Sequence, residues 1–134
     1  MNEKLKIKIE HYESKLSFEA DSSDVWTAVD NKENVIVLDA RSPKAYENEH
    51  IVNAINIHHK LMDENTTKHL DKNALIITYC DGIGCNASTK GALKMAKLGF
   101  DVKELLGGLD WWKRDGYPTH ILSTNKIADP SCCI

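Results

Sequence analysis

Short apolar runs alternate along the chain with polar stretches that carry helix caps. Val35-Ile-Val-Leu38 and Ala74-Leu-Ile-Ile-Thr-Tyr79 are unbroken and rich in β-branched residues, the pattern of strands buried on both faces in a parallel sheet. Ala54-Ile-Asn-Ile57 and Val102-Lys-Glu-Leu-Leu106 predict two further strands. Between them lie helix signals: Asp21-Ser-Ser-Asp before an apolar stripe at Val25, Trp26 and Val29, and Ser42-Pro43 opening a short helix through Tyr46. Asn86 to Leu98 has helical periodicity stopped by Gly99, and Leu109 to Arg114 is a short helix after Gly107-Gly108. Strands alternating with helices predict an α/β layer fold with a parallel sheet.

At the N-terminus, Leu5, Ile7, Ile9, Tyr12 and Leu16 share their spacing between a helix and an extended segment. Helix is the preferred reading. The chain is thus divided into a helical extension over residues 1–16, a domain over 17–122 and a loose tail over 123–134. Its 134 residues suffice for one domain with a core of its own.

A net charge of −3 gives no basic excess for a phosphate backbone, so nucleic acid is not an expected partner. No apolar run approaches the roughly 20 residues of a membrane span, and the first residues carry no apolar signal core. A cytoplasmic protein without membrane partners is expected. A homodimer through the N-terminal segment is compatible with the pattern.

Four cysteines stand at 80, 85, 132 and 133. Two share one glycine-containing loop and two are adjacent near the end, which argues against a secreted disulfide framework and for a reducing compartment. Cys80 sits where a strand ends and a glycine-rich loop leads into a helix, the place where open α/β sheets bind ligands. A helix N-terminus offers unpaired amides and the positive end of a dipole, which bind anions and lower the pKa of a nearby thiol. Cys80 is therefore a candidate nucleophile in an anion cradle formed by Asp81, Gly82, Ile83, Gly84, Cys85 and Asn86. By position alone, a buried structural cysteine is an equal alternative.

Three stretches, read in order, resemble the rhodanese-like sulfurtransferases: Leu38-Asp-Ala-Arg-Ser-Pro-Lys-Ala-Tyr-Glu-Asn-Glu-His-Ile-Val-Asn-Ala-Ile-Asn-Ile57, Ile76-Ile-Thr-Tyr-Cys80 with its loop, and Leu106-Gly-Gly-Leu-Asp-Trp-Trp112. The resemblance implies a three-layer α/β/α domain with a central, mainly parallel sheet of about five strands and an active-site cysteine at Cys80. It implies that this thiolate takes a sulfane sulfur from a small sulfur-containing anion such as thiosulfate, or from a persulfide donor, and passes it to cyanide or a thiol acceptor. No cofactor is implied. Asp39 and Arg41 match the family's Asp-x-Arg, and His50 falls in its Glu-x-x-His-Ile pattern, where a structural hydrogen-bonding role is expected for the ring.

The loop departs from the commoner Cys-x-x-Gly-x-Arg-Ser pattern. It is about two residues longer, and it carries Asp81 but no Arg or Lys before Lys90, so its own side chains do not help to hold an anionic donor. Cys85 has two readings. It packs under the loop as a small apolar residue, the favoured one, or it resolves an oxidised or sulfur-loaded Cys80 by forming a disulfide. The spacing Cys-x4-Cys with a terminal Cys-Cys lacks the paired ligands of a structural zinc site, so no metal is expected. A phosphatase is excluded because position 86, where it needs Arg, is Asn; arsenate reduction has no residue in its favour. A non-catalytic or redox-sensing binding module is the alternative to a sulfurtransferase, and Cys80 favours the enzyme.

Overall fold

The computed structural model describes residues 2–122 and 126–128. Its centre is a sheet of five parallel strands: β1 (Glu19–Ala20), β2 (Val35–Asp39), β4 (Ile55–Asn56), β5 (Leu75–Tyr79) and β6 (Asp101–Leu105). Their order is β1-β6-β5-β2-β4, with β2 and β5 paired from Val35 opposite Leu75 to Asp39 opposite Tyr79. The helices are α1 (Glu3–Phe18), α2 (Ser22–Asp30), α3 (Pro43–Asn48), α4 (Glu64–Thr67), α5 (Ala87–Lys97) and α6 (Gly108–Arg114).

The two-residue period of the strands splits the core in two. Val37, Ile77 and Tyr79 pack with Val25 of α2 and Leu109 and Trp112 of α6 on one face of the sheet. Leu38 and Ile76 pack with Met62, Met95 of α5 and Phe100 on the other. This is the expected three-layer arrangement. Caps start the helices as the sequence predicts: Asp21 accepts from the Asp24 amide at 2.8 Å, and Ser42 from the Ala45 amide at 3.3 Å with Pro43 behind it.

Helix is the outcome for the N-terminal segment, over Glu3–Phe18, and no residue of α1 is buried. The strand at Glu19–Ala20 was not predicted; two residues are too few to show a period. A second, antiparallel sheet was also missed. It joins β3 (His50–Ile51), β7 (Thr119–Ile121) and β8 (Lys126–Ala128). Residues 126–128 fall in the segment expected as a loose tail, and they pair with β7 as its outer strand. Cys132 and Cys133 lie outside the described residues.

Gly107 and Gly108 have φ of +76° and +57°, a conformation that side chains resist, and together they turn β6 directly into α6. The turn seats the first amides of α6 on the carbonyls of the cysteine loop: Leu109 donates to Cys80 O at 2.9 Å, and Asp110 to Asp81 O at 2.8 Å. A Cβ on Gly108 would collide with the Cys80 carbonyl. Gly108→Ala is therefore expected to lower the unfolding free energy by about 2–4 kcal/mol, from backbone strain and overpacking together. Gly84→Ala, whose added carbon meets open space, should cost less than about 1 kcal/mol. Urea denaturation of the two variants checks the contrast.

Candidate active site

From β2 the chain passes to β4 on one side of the sheet and then to β5 on the other, so the strand order reverses between β2 and β5. A crevice opens at the carboxyl ends of two strands at such a reversal. Asp39, Ala40 and Arg41 leave β2 there, beside Cys80 and Asp81 leaving β5.

The loop from Cys80 to Asn86 curls ahead of α5. Within it the Cys85 amide donates to Gly82 O at 3.2 Å, while the amides of Gly82, Ile83, Gly84 and Asn86 donate to no carbonyl among the described residues. These groups and the first amides of α5 are donors available to an anion. Ile83 stands at the loop tip with 84% of its surface exposed. Asn86 occupies the N-cap of α5 without a side-chain cap bond.

Asp39 and Arg41 form the anchor under this loop. Asp39 is fully buried and accepts from Arg41 N (2.9 Å), Nε (3.0 Å) and Nη2 (2.7 Å) and from the Tyr79 hydroxyl (2.7 Å). The guanidinium also donates to Glu49 O at 2.6 Å and to Asp81 Oδ1 at 2.9 Å. Burial disfavours its charge, but the bonds to Asp39 and Asp81 outweigh burial and keep it protonated above its already high ordinary range. Asn56 completes the anchor, donating to the carbonyls of both Asp39 and Arg41.

The loop's expected charge is thereby corrected. Asp81 is exposed but pairs with Arg41, so a cation from forty residues upstream faces the loop's acidic residue. The loop sequence alone gave no sign of this, because the partner lies on another strand. Tyr79 and Glu49 were also missed as members of the network. Besides its carbonyl contact to Arg41, Glu49 accepts from Lys113 Nζ (2.7 Å) and Thr119 Oγ1 (2.6 Å), tying α6 and β7 to the end of α3.

His50 is buried, with its Nδ1 2.7 Å from Tyr46 O and its ring stacked on Tyr46 at 3.7 Å between centroids. Burial lowers its pKa from the ordinary 6.5. It is a structural neighbour of the anchor.

Cys80 and Cys85 are joined by a disulfide, with Cα atoms 6.2 Å apart. The favoured expectation for Cys85, packing as a small apolar residue, gives way to a covalent bond. The loop folds back so that two residues five apart come within bridging range. Cys80 is 2% exposed in this state, whereas Cys85 lines a cavity of about 190 Å³ together with Gly82, Ser88, Glu104 and Gly107. Glu104 holds that cavity's wall by accepting from Ser88 Oγ (3.1 Å) and Thr89 Oγ1 (2.8 Å). No group of side chains fit to hold a metal occurs among the described residues. None of their helices is long and apolar enough to cross a membrane.

A strand, a cysteine loop and a helix at the reversal of a parallel sheet, with Asp-x-Arg on the adjoining strand, define a class that comparison identifies. The Rhodanese-like domain family matches residues 21–115. The chain belongs to that family. It is 32% identical over 104 residues to the thiosulfate sulfurtransferase GlpE of Coxiella burnetii, covering 76% of this chain and 92% of that protein. Among solved structures, the BH2092 protein of Bacillus halodurans superposes with a TM-score of 0.84 at 41% identity, over 93% of this chain and 91% of the other. A protein from Lactobacillus plantarum gives a TM-score of 0.71 at 28% identity, over 85% and 97%.

Removing one partner of a buried, hydrogen-bonded ion pair leaves the other charge stranded. Arg41→Met is therefore expected to cost about 3–5 kcal/mol of stability, read by urea denaturation. The pH dependence has its own signature. The unfolded chain binds a proton on His50 more readily than the folded chain does, so stability is lost as pH falls below about 6.5, toward the lowered native value. Glu49 is opposed by burial but held down by Lys113 and Thr119, and it adds a second loss below its ordinary 4.5. Unfolding midpoints measured from pH 7.5 to 5 should fall with acid, and less steeply in His50→Gln.

Proposed function

We propose that the protein is a sulfurtransferase that carries a sulfane sulfur as a persulfide on Cys80. The observation that carries this reading is the placement of Cys80 at the carboxyl end of β5, where it opens a loop whose amides at Gly82, Ile83, Gly84 and Asn86 are unspent and which leads into a helix N-terminus; such donors favour a thiolate. The similarity to a thiosulfate sulfurtransferase supports thiosulfate as donor; a low-molecular-weight persulfide fits the same loop. The Cys80 thiolate attacks the outer sulfur of thiosulfate, the S–S bond to the sulfonate sulfur breaks, and sulfite leaves with the electron pair. A thiolate or cyanide acceptor then takes the outer sulfur and returns Cys80 to the thiolate.

The roles follow from position. Cys80 is the nucleophile. The amides of Gly82, Ile83, Gly84 and Asn86 hold the donor's charge, and Asp39, Arg41 and His50 keep the strand ends and the loop in register. A cytoplasmic setting, where thiols are abundant as acceptors, fits this chemistry. Cys80→Ser is expected to abolish thiosulfate-to-cyanide transfer, to below about one part in a thousand, while melting like the reduced wild-type protein. Retained turnover in Cys80→Ser would contradict the assignment.

The disulfide favours a second reading, a redox-sensing module in which the loop reports oxidation. Under that reading peroxide converts reduced protein to a Cys80–Cys85 disulfide that dithiothreitol reverses, and Cys85→Ala proceeds instead to sulfinic acid on Cys80. Failure of the reduced protein to take sulfur from either donor, with this peroxide behaviour intact, would favour the sensor.

A further inference from the structure

We infer that Cys85 discharges the sulfur carried on Cys80 as hydrosulfide, which makes the protein a sulfane-sulfur reductase driven by an external dithiol. The inference rests on the persulfide reading above and goes beyond transfer to an acceptor. A persulfide presents two sulfurs: the outer one, toward solvent, and the inner one, which is Cys80 Sγ itself. The structure places Cys85 Sγ in bonding contact with Cys80 Sγ, with the Cα atoms 6.2 Å apart and within the ordinary span of a disulfide. A thiolate held there meets the inner sulfur.

Attack at that atom, with the proton of the Cys85 thiol ending on the outer sulfur, forms the Cys80–Cys85 bond, breaks the bond between the inner and outer sulfurs, and expels the outer sulfur as HS⁻ with the electron pair. The outer sulfur is reduced by two electrons, and the two cysteine sulfurs are each oxidised by one, so the step balances with no further reactant. Because Cys85 is tethered five residues from Cys80, its effective concentration is mM or above, in competition with any free acceptor thiol. Hydrosulfide is also a better leaving group than an alkyl thiolate, since it is the base of a stronger acid.

The product is the state seen in the structure. With the disulfide closed, Cys80 is 2% exposed and cannot meet a second donor, so turnover requires reduction. Cys85 faces the cavity of about 190 Å³ and is the sulfur that an incoming dithiol reaches. Attack there releases Cys80 as the thiolate, in the loop whose amides at Gly82, Ile83, Gly84 and Asn86 are unspent. A second thiolate of the same reductant then frees Cys85 and leaves the reductant as a disulfide. With thiosulfate as donor, the sum over one cycle is thiosulfate plus a dithiol giving sulfite, hydrogen sulfide and a disulfide.

A single turnover without added thiol tests this. Full-length protein is reduced, freed of reductant, and mixed anaerobically with thiosulfate; sulfite, trapped hydrosulfide and intact mass are read, and disulfides are mapped. The expected result for wild type is about one hydrosulfide per chain, a mass lower by two hydrogens, and a bridge between Cys80 and Cys85. Cys85→Ser and Cys85→Ala should instead gain one sulfur on Cys80, release sulfite, and form no hydrosulfide until dithiothreitol is added. Wild-type protein that keeps the added sulfur and releases no hydrosulfide would overturn the inference while leaving sulfur transfer standing. So would a bridge mapped to Cys132 or Cys133. No sulfite from any of the three proteins would overturn the persulfide reading and this inference together.

Discussion

A single guanidinium holds the candidate site together. Arg41 leaves the end of β2, returns to the buried carboxylate of Asp39, and extends its remaining donors to Asp81 in the cysteine loop and to the carbonyl that ends α3. Such a buried charge is tolerable only because its donors on every side meet oxygen. The consequence is geometric: the ends of β2 and β5 and the start of the loop cannot shift independently. The first turn of α6 is also seated on the carbonyls of Cys80 and Asp81. The loop is thus fixed at its base by an ion pair and a pair of amide bonds, while its tip at Ile83 and Gly84 remains open to solvent.

This division suits the chemistry proposed. The base must hold Cys80 steady against the amides that stabilise a thiolate. The tip must let Cys85 approach and withdraw, because the bond between Cys85 and Cys80 has to open before Cys80 can meet a donor. Glycines at 107 and 108 serve the base by allowing α6 to come close. An exposed acidic residue in an anion-binding loop would ordinarily oppose its ligand, but Asp81 spends its charge on Arg41.

The alternating pattern of the sequence revealed the central sheet because β2, β5 and β6 are five residues each, long enough to show continuous burial. It missed β1 and β3, since two-residue strands are defined by their partners and carry no period, while β4 was found inside the predicted Ala54–Ile57 strand. Residues 126–128 read as tail because three residues say nothing about the strand they join. The placement of Cys80 was legible from the strand–glycine–helix order. What the order could not reveal was pairing across the sheet: that Arg41 reaches Asp81, and that the Tyr79 hydroxyl closes on Asp39. Both depend on distances set by the register of β2 on β5, which no local spacing encodes.

The central claim is that the loop carries sulfur covalently, and steady-state kinetics of the reduced Cys85→Ser protein, which cannot close the disulfide, with thiosulfate and cyanide test it most directly. A covalent sulfur on Cys80 predicts ping-pong kinetics, with parallel double-reciprocal lines and the label of outer-sulfur-labelled thiosulfate recovered in thiocyanate. Intersecting lines, which require both substrates to be bound together before sulfur moves, would contradict it.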